Sequence, residues 1–250
     1  MSTTRAEPIF APQHPWDRNF HLAFVATCWL GVIMGFAPAV AARFSGIEDY
    51  SASIVLQIHA IIFPAWMVLL TAQVLLIRVR KLAWHRPLGL TALAFIPVMV
   101  VTGIWSEILS QRFYSPDDPN NLSFFIVPLA YMVMFPALAG ASLWFRKSPS
   151  THKRLMLLAN ATIVSAGFSR WWGSAVASVV GDGYVGMLLN TYSGFYLLVG
   201  AGMIYDLVTR KRIHTSYLIA VPILLACQII VSLLYHAEEW RPVARWIAGI

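Results

Sequence analysis

Long apolar runs, broken by short polar stretches at nearly regular intervals, dominate the chain. Seven of them reach the roughly 20 residues that a helix needs to cross a bilayer. They cover 20–42, 53–77, 88–109, 123–145, 155–176, 185–206 and 215–236. The breaks are polar or turn-rich: Arg43 to Ser51, Arg78 to Pro87, Gln111 to Asn121, Arg146 to Arg154, Gly181 to Gly183 and Thr209 to His214. The pattern predicts an all-α fold, a polytopic membrane bundle of seven transmembrane helices. Residues 1–19 form an N-terminal tail, 20–236 the bundle and 237–250 a short C-terminal tail. Pro64, Pro97, Pro128, Pro136 and Pro222 fall inside the runs, where they predict kinks rather than chemistry.

Composition excludes a water-soluble domain of this size. Hydrophobic residues make up 58% of the chain and charged residues 12%, against about 25% charged in an ordinary globular domain. Ala39 to Ala42 resembles a signal-cleavage site, but the apolar run before it is longer than a signal core. Arg5 and Arg18 are also offset there by Glu7 and Asp17, so the first span is expected to be retained. Cys28 and Cys227 both lie within apolar runs without any CxxC or Cys/His spacing, which argues against a disulfide framework or a structural zinc site.

The net charge of +7 changes the picture through its placement. Basic residues cluster between runs instead of gathering on one face, so nucleic acid is excluded as a partner. Arg5, Arg18, Arg78, Arg80, Lys81, Arg86, Arg146, Lys147, Lys153, Arg154, Arg210, Lys211 and Arg212 fall on one side of the predicted bundle. Only Arg43, Arg112, Arg241 and Arg245 fall on the other. The positive-inside rule then predicts an N-inside, C-outside protein of a bacterial inner membrane. Trp84 and Trp144 fit an inner interfacial belt, and Trp105, Trp171, Trp172 and Trp240 an outer one. Three inner loops share a basic pair, a spacer and a histidine opening the next helix, at His85, His152 and His214. Either an old hairpin duplication or the positive-inside rule alone accounts for that likeness.

Ionisable groups inside apolar spans usually face the bundle interior and mark a site. Counting from each span's centre places His59, Glu107, Arg170, Asn190, Tyr192 and Gln228 in one outer layer, about 5–13 Å above the midplane. Along the second span His59, Phe63, Trp66, Leu70 and Gln73 share one stripe. His152 and Arg170 share an azimuth about 27 Å apart, and His85 returns to within about 40° of Glu107. If the third and fifth spans are neighbours, Glu107 pairs with Arg170 at the outer end and His85 faces His152 at the inner end. The alternatives are a structural ion pair outside and interfacial histidines inside.

His85-Arg86-Pro87-Leu88-Gly89 and His152-Lys153-Arg154-Leu155-Met156, the latter opening the span with Arg170, carry a resemblance. Over about residues 55–175 the chain resembles a family of uncharacterised bacterial multi-spanning membrane proteins. In that family a His-Arg-x-x-Gly motif opens one helix, and a His-x-x-x-Met motif opens a later helix bearing an arginine. The likeness implies a membrane fold without an assigned activity. A looser likeness is to two-haem b-type cytochromes. It implies that His85 and His152 ligate a haem b, with Arg86, Lys153 and Arg154 near its propionates. The fourth span lacks a histidine to partner His59, so at most one haem is implied.

Two function classes therefore stand. One is a redox protein holding one haem b through His85 and His152 and exchanging electrons with quinone. The other is a non-enzymatic binder or transporter of a small anionic or amphipathic ligand, with an outward-facing pocket of His59, Glu107, Arg170, Asn190 and Tyr192. A membrane enzyme is less favoured: HExxH, a Gly-rich phosphate loop and a nucleophile elbow are all missing. The last span has no lysine for a retinal Schiff base. A homo-oligomer or a larger membrane complex is compatible with everything above.

Overall fold

A computed structural model describes residues 10–11, 13–47, 52–115 and 120–250; Arg5 and Glu7 of the N-terminal tail lie outside the described residues. Ten helices are present among them: α1 Asp17–Phe44, α2 Ile54–Arg78, α3 Leu82–Leu90, α4 Ala92–Tyr114, α5 Asn120–Phe124, α6 Ile126–Trp144, α7 Pro149–Val180, α8 Tyr184–Arg210, α9 Thr215–His236 and α10 Trp240–Ala248. Among the described residues six stretches are long and apolar enough to cross a membrane: Asp17–Phe44, Ile54–Arg78, Leu82–Tyr114, Asn121–Trp144, Tyr184–Arg210 and Thr215–His236. The chain is a multi-pass, all-helical membrane protein.

Local chemistry sets the helix ends. Ser53 accepts a 3.2 Å hydrogen bond from the Leu56 amide and opens α2. Pro149 sits in the first turn of α7, where a missing N–H costs nothing. Gly181, with φ of 76°, closes α7 in a conformation that a side chain would strain. The His214 ring accepts from the Ser216 amide at 3.1 Å and caps α9.

Two of the expected spans are broken. Between α3 and α4 the chain tightens at Thr91, whose hydroxyl donates to the Leu88 carbonyl at 2.7 Å. Between α5 and α6 it breaks at Phe125, beside the Phe124 carbonyl that Pro128, lacking an amide hydrogen, cannot engage. The segment read as a C-terminal tail instead forms α10. Its Trp240, Ala244 and Ala248 follow a helical period and bury against Leu122 and Phe125. The Trp240 indole donates to the Leu122 carbonyl at 2.9 Å, and Arg112 Nε donates to the Ala248 carbonyl at 2.5 Å, completing the C-terminal end of α10.

The longest helix, α7, is not among the six apolar stretches, yet it is the axis of the bundle. It packs most extensively on α8, α6 and α1. From Ser150 to Phe168 its buried positions include Arg154, Asn160, Thr162 and Ser165. A helix surrounded by protein rather than lipid can carry such residues where each finds a partner. Asn160 accepts from the Trp66 indole at 2.9 Å, and Ser165 donates to the Thr191 carbonyl at 2.9 Å. On its α1 face the packing is backbone to backbone: a Cβ on Gly35 would overlap the Gly167 carbonyl, and one on Gly167 would lie 2.6 Å from the Gly31 carbonyl oxygen.

Candidate functional site

The two ends of the bundle differ. The basic end carries the turns after α2, α6 and α8; the opposite end carries α5, α10 and the turn at Gly181. Near the opposite end the enclosure around α7 loosens. No described residue of α1 beyond Gly35 is buried, nor any of α2 before Trp66. On α7 itself burial stops after Phe168 except at Gly173, and Arg170 is exposed.

Arg170 stands where the axial helix emerges. Its Nη1 donates to the Ala166 carbonyl at 3.2 Å, and its guanidinium lies 4.8 Å from the centre of the Phe36 ring on α1. Glu107 on α4, His59 on α2 and Tyr131 on α6 are within its electrostatic reach. The expected Glu107–Arg170 ion pair is absent among the described residues. Gln111, one turn along α4, donates to Glu107 at 2.8 Å instead, while Phe36 holds Arg170 toward α1. The His59 ring lies tilted over Phe63 with centroids 4.2 Å apart, and its buried Nδ1 has no hydrogen-bond partner; nor has the buried Ser106 hydroxyl beside Glu107. Orphaned buried polar atoms are uncommon and call for a ligand, an ion or a water.

The remaining outer-layer residues come from α8, which carries Asn190 and Tyr192, and α9, which carries Gln228. Tyr192 is fully buried edge-on to Tyr131, its hydroxyl unpartnered, and Gln228 is buried with Oε1 unpartnered. Asn190 Oδ1 accepts a 3.4 Å bond from Ser169 and sits so close over Gly173 that any Cβ there would strike it. Arg170, Glu107 and His59 thus form one group, whereas Tyr192 and Gln228 belong to the packed interior and the half-buried Asn190 packs on α7 at Gly173.

At the basic end His85 and His152 are within electrostatic reach of one another. Each ring is oriented through Nδ1. The Gln73 amide, with its NH2 toward α3, donates to His85 Nδ1 and to the His85 carbonyl at 3.0 Å, and accepts from the Gly89 amide at 2.9 Å. His152 Nδ1 lies 2.8 Å from the Ser142 carbonyl and 3.0 Å from its hydroxyl. Arg86 is exposed. Arg154 is engaged elsewhere: it makes a bidentate ion pair with Asp206 of α8, Nε to Oδ2 at 2.7 Å, and donates to the Ser150 carbonyl at 2.9 Å.

No protein-family model, curated protein or solved structure matches this chain.

The Arg154–Asp206 pair is the centre of a cluster that the sequence did not disclose. Asp17, opening α1, accepts from Lys153 at 2.7 Å, from Arg210 at 2.9 Å and from the Tyr205 hydroxyl at 2.7 Å. Arg210 also lies 3.8 Å from Asp206. The Phe10 ring covers this group from the N-terminal side, 4.5 Å from the Arg154 guanidinium and edge-on to His214. Burial, together with nearby Arg154, pushes the His214 imidazole down to about 4. One signal was available: Asp206 and Glu107 are the only carboxylates inside the predicted spans. Asp206 sits at the edge of its run beside Arg210, Lys211 and Arg212, where it reads as part of a solvated turn.

Proposed function

We propose that the chain is a seven-crossing bacterial inner-membrane protein, basic end in the cytoplasm, that binds a small anionic or amphipathic ligand at the opening beside α7. Arg170 is the anchor. The observation that carries this is a guanidinium in the outer half of the bundle with only a backbone carbonyl and an aromatic face as partners, among the described residues. A guanidinium so placed offers a bidentate face to a carboxylate. Glu107 and the unpartnered His59 Nδ1 supply polar contacts on the α2 and α4 sides, and the exposed flanks of α1 and α2 suit an acyl chain entering beside lipid. The seventh crossing is α7, whose polar residues are shielded by its neighbours.

Octanoate tests this reading. It is expected to raise the melting temperature of the detergent-purified protein saturably, and Arg170→Ala to remove that rise while Arg43→Ala keeps it. An Arg170→Ala protein that still responds to octanoate as the parent does would overturn it.

A second reading, one haem b held between His85 and His152, has its own observation. Both rings are fixed through Nδ1, and neither Nε2 has a hydrogen-bond partner among the described residues, the arrangement a histidine ligand adopts. The donor set fits in that respect. It departs in another, since Arg154 is held by Asp206 and Lys153 by Asp17, which leaves the exposed Arg86 of the three expected to meet a propionate. Bound haem would supply one-electron exchange with quinone; the chain's own part is to orient the two imidazoles through Gln73 and Ser142. Protein from haem-replete cells is expected to show a Soret band that shifts with dithionite and disappears in His85→Ala and His152→Ala. A featureless spectrum removes this reading.

A further inference from the structure

At the basic end the first turn of α1 is tied to the last turn of α2. Arg78 makes the tie: its Nη1 donates to the Arg18 carbonyl at 3.1 Å and to Asn19 Oδ1 at 2.8 Å. Beside this junction lies an open groove of about 440 Å³, lined by Gln13, His14, Pro15, Arg18 and Arg80. Its volume is in the range of sites that hold a small organic ligand. The groove shares no lining residue with the space around Asp17, Arg154 and Asp206.

Its charged groups are all donors. No carboxylate lines it, and the Arg18 and Arg80 side chains form no ion pair or hydrogen bond among the described residues. The His14 Nδ1 accepts from the Trp16 amide at 3.2 Å, so the neutral ring carries its hydrogen on Nε2. Arg80 is also placed at a cost. Helix α2 ends with the Lys81 amide donating to the Leu76 carbonyl at 2.8 Å and the Arg80 amide to the Ile77 carbonyl at 3.1 Å. That ending sets Arg80 at φ of 60°, a position glycine normally takes. An arginine kept where glycine would be less strained points to a use for its side chain.

The groove also lies at headgroup depth. Arg18 is in the first turn of one apolar span and Arg80 just past the end of the next. Trp16, Trp84 and Trp144, at the same end of the bundle, are 59%, 69% and 80% exposed, as in an interfacial aromatic belt.

We propose that this groove binds the phosphate of an anionic phospholipid headgroup of the phosphatidylglycerol class. Arg18 and Arg80 engage the phosphate oxygens, and the Gln13 amide and His14 Nε2–H supply further hydrogen bonds. A zwitterionic headgroup would bring its own ammonium against the same two arginines. The site is independent of the Arg170 opening and of which way the chain crosses the bilayer.

The test uses the full chain in detergent at constant ionic strength, with its melting temperature followed by tryptophan fluorescence. Dihexanoyl phosphatidylglycerol is expected to raise the melting temperature saturably by a few degrees. Dihexanoyl phosphatidylcholine and glycerol phosphate are expected to have little effect at the same concentrations. Arg80→Gly is expected to melt at or slightly above the parent without lipid, and to bind phosphatidylglycerol about tenfold or more weakly. Arg18→Ala should weaken binding similarly. Lys211→Gly is the matched control, because Lys211 also has φ of 60° and lies outside the groove. It should keep the full response, as should Arg170→Ala. Equal shifts with the two lipids would reduce the effect to acyl chains and overturn the proposal. An equal shift with glycerol phosphate would make this a site for soluble anions, which overturns the lipid assignment. A response kept in both Arg80→Gly and Arg18→Ala, or lost equally in Lys211→Gly, would mean diffuse surface attraction and overturn it as well.

Discussion

Asp206→Ala should destabilise the bundle by about 3–5 kcal/mol, the range expected when one partner of a buried ion pair is removed. Asp206 is 1% exposed and Arg154 2%. Alanine would leave the Arg154 guanidinium facing apolar side chains and would also remove the carboxylate beside Arg210 and the acceptor for the His214 amide. The penalty comes from the stranded charge more than from the lost attraction. Replacing both members, Arg154→Met with Asp206→Leu, is therefore expected to recover most of the loss, because neither member of the pair is left stranded. Urea or thermal unfolding in detergent checks both. A single variant that unfolds within about 1 kcal/mol of the parent would show that water reaches the pair.

Substitution of Gly35 by valine should be comparably severe, about 2–4 kcal/mol, for a steric reason. The first carbon of any side chain there would coincide with the Gly167 backbone carbonyl, and a main chain cannot rotate out of the way as a side chain can. Helices α1 and α7 would have to separate, opening the contact that Gly31, Gly35 and Gly167 create. Gly140→Ala is the matched control: it is also helical, nothing lies within 4 Å of its added carbon, and alanine is the better helix former. It should be neutral or slightly stabilising. Equal unfolding midpoints for Gly35→Val and Gly140→Ala would refute the close approach of α1 and α7.

The difference between these two sites and the histidine motifs shows where sequence reading reached its limit. His85 and His152 were legible because each opens a helix beside a basic turn, a local pattern. Arg154 and Asp206 are separated by 52 residues, and nothing near either one announces the other. From the sequence Arg154 reads as an inner-loop cation and, through the cytochrome likeness, as a propionate partner; its burial follows only from α8 crossing beside α7. The Glu107–Arg170 pairing failed for a related reason. Helical spacing placed both residues at one level, but which neighbour each meets depends on rotation about the helix axis. There Gln111 and Phe36 were the nearer partners.

Apolar periodicity and the placement of Lys and Arg were enough to determine an all-helical membrane bundle, because the bilayer requirement acts on each segment separately. They also put His85 and His152 near helix starts and Arg170, His59 and Glu107 within helices. The tertiary structure alone decided that α7 is the axis, that α10 folds onto α5, and that a five-charge cluster around the buried Arg154–Asp206 pair closes the basic end. Those outcomes depend on which faces meet, and contacts between distant segments leave no periodic trace along the chain.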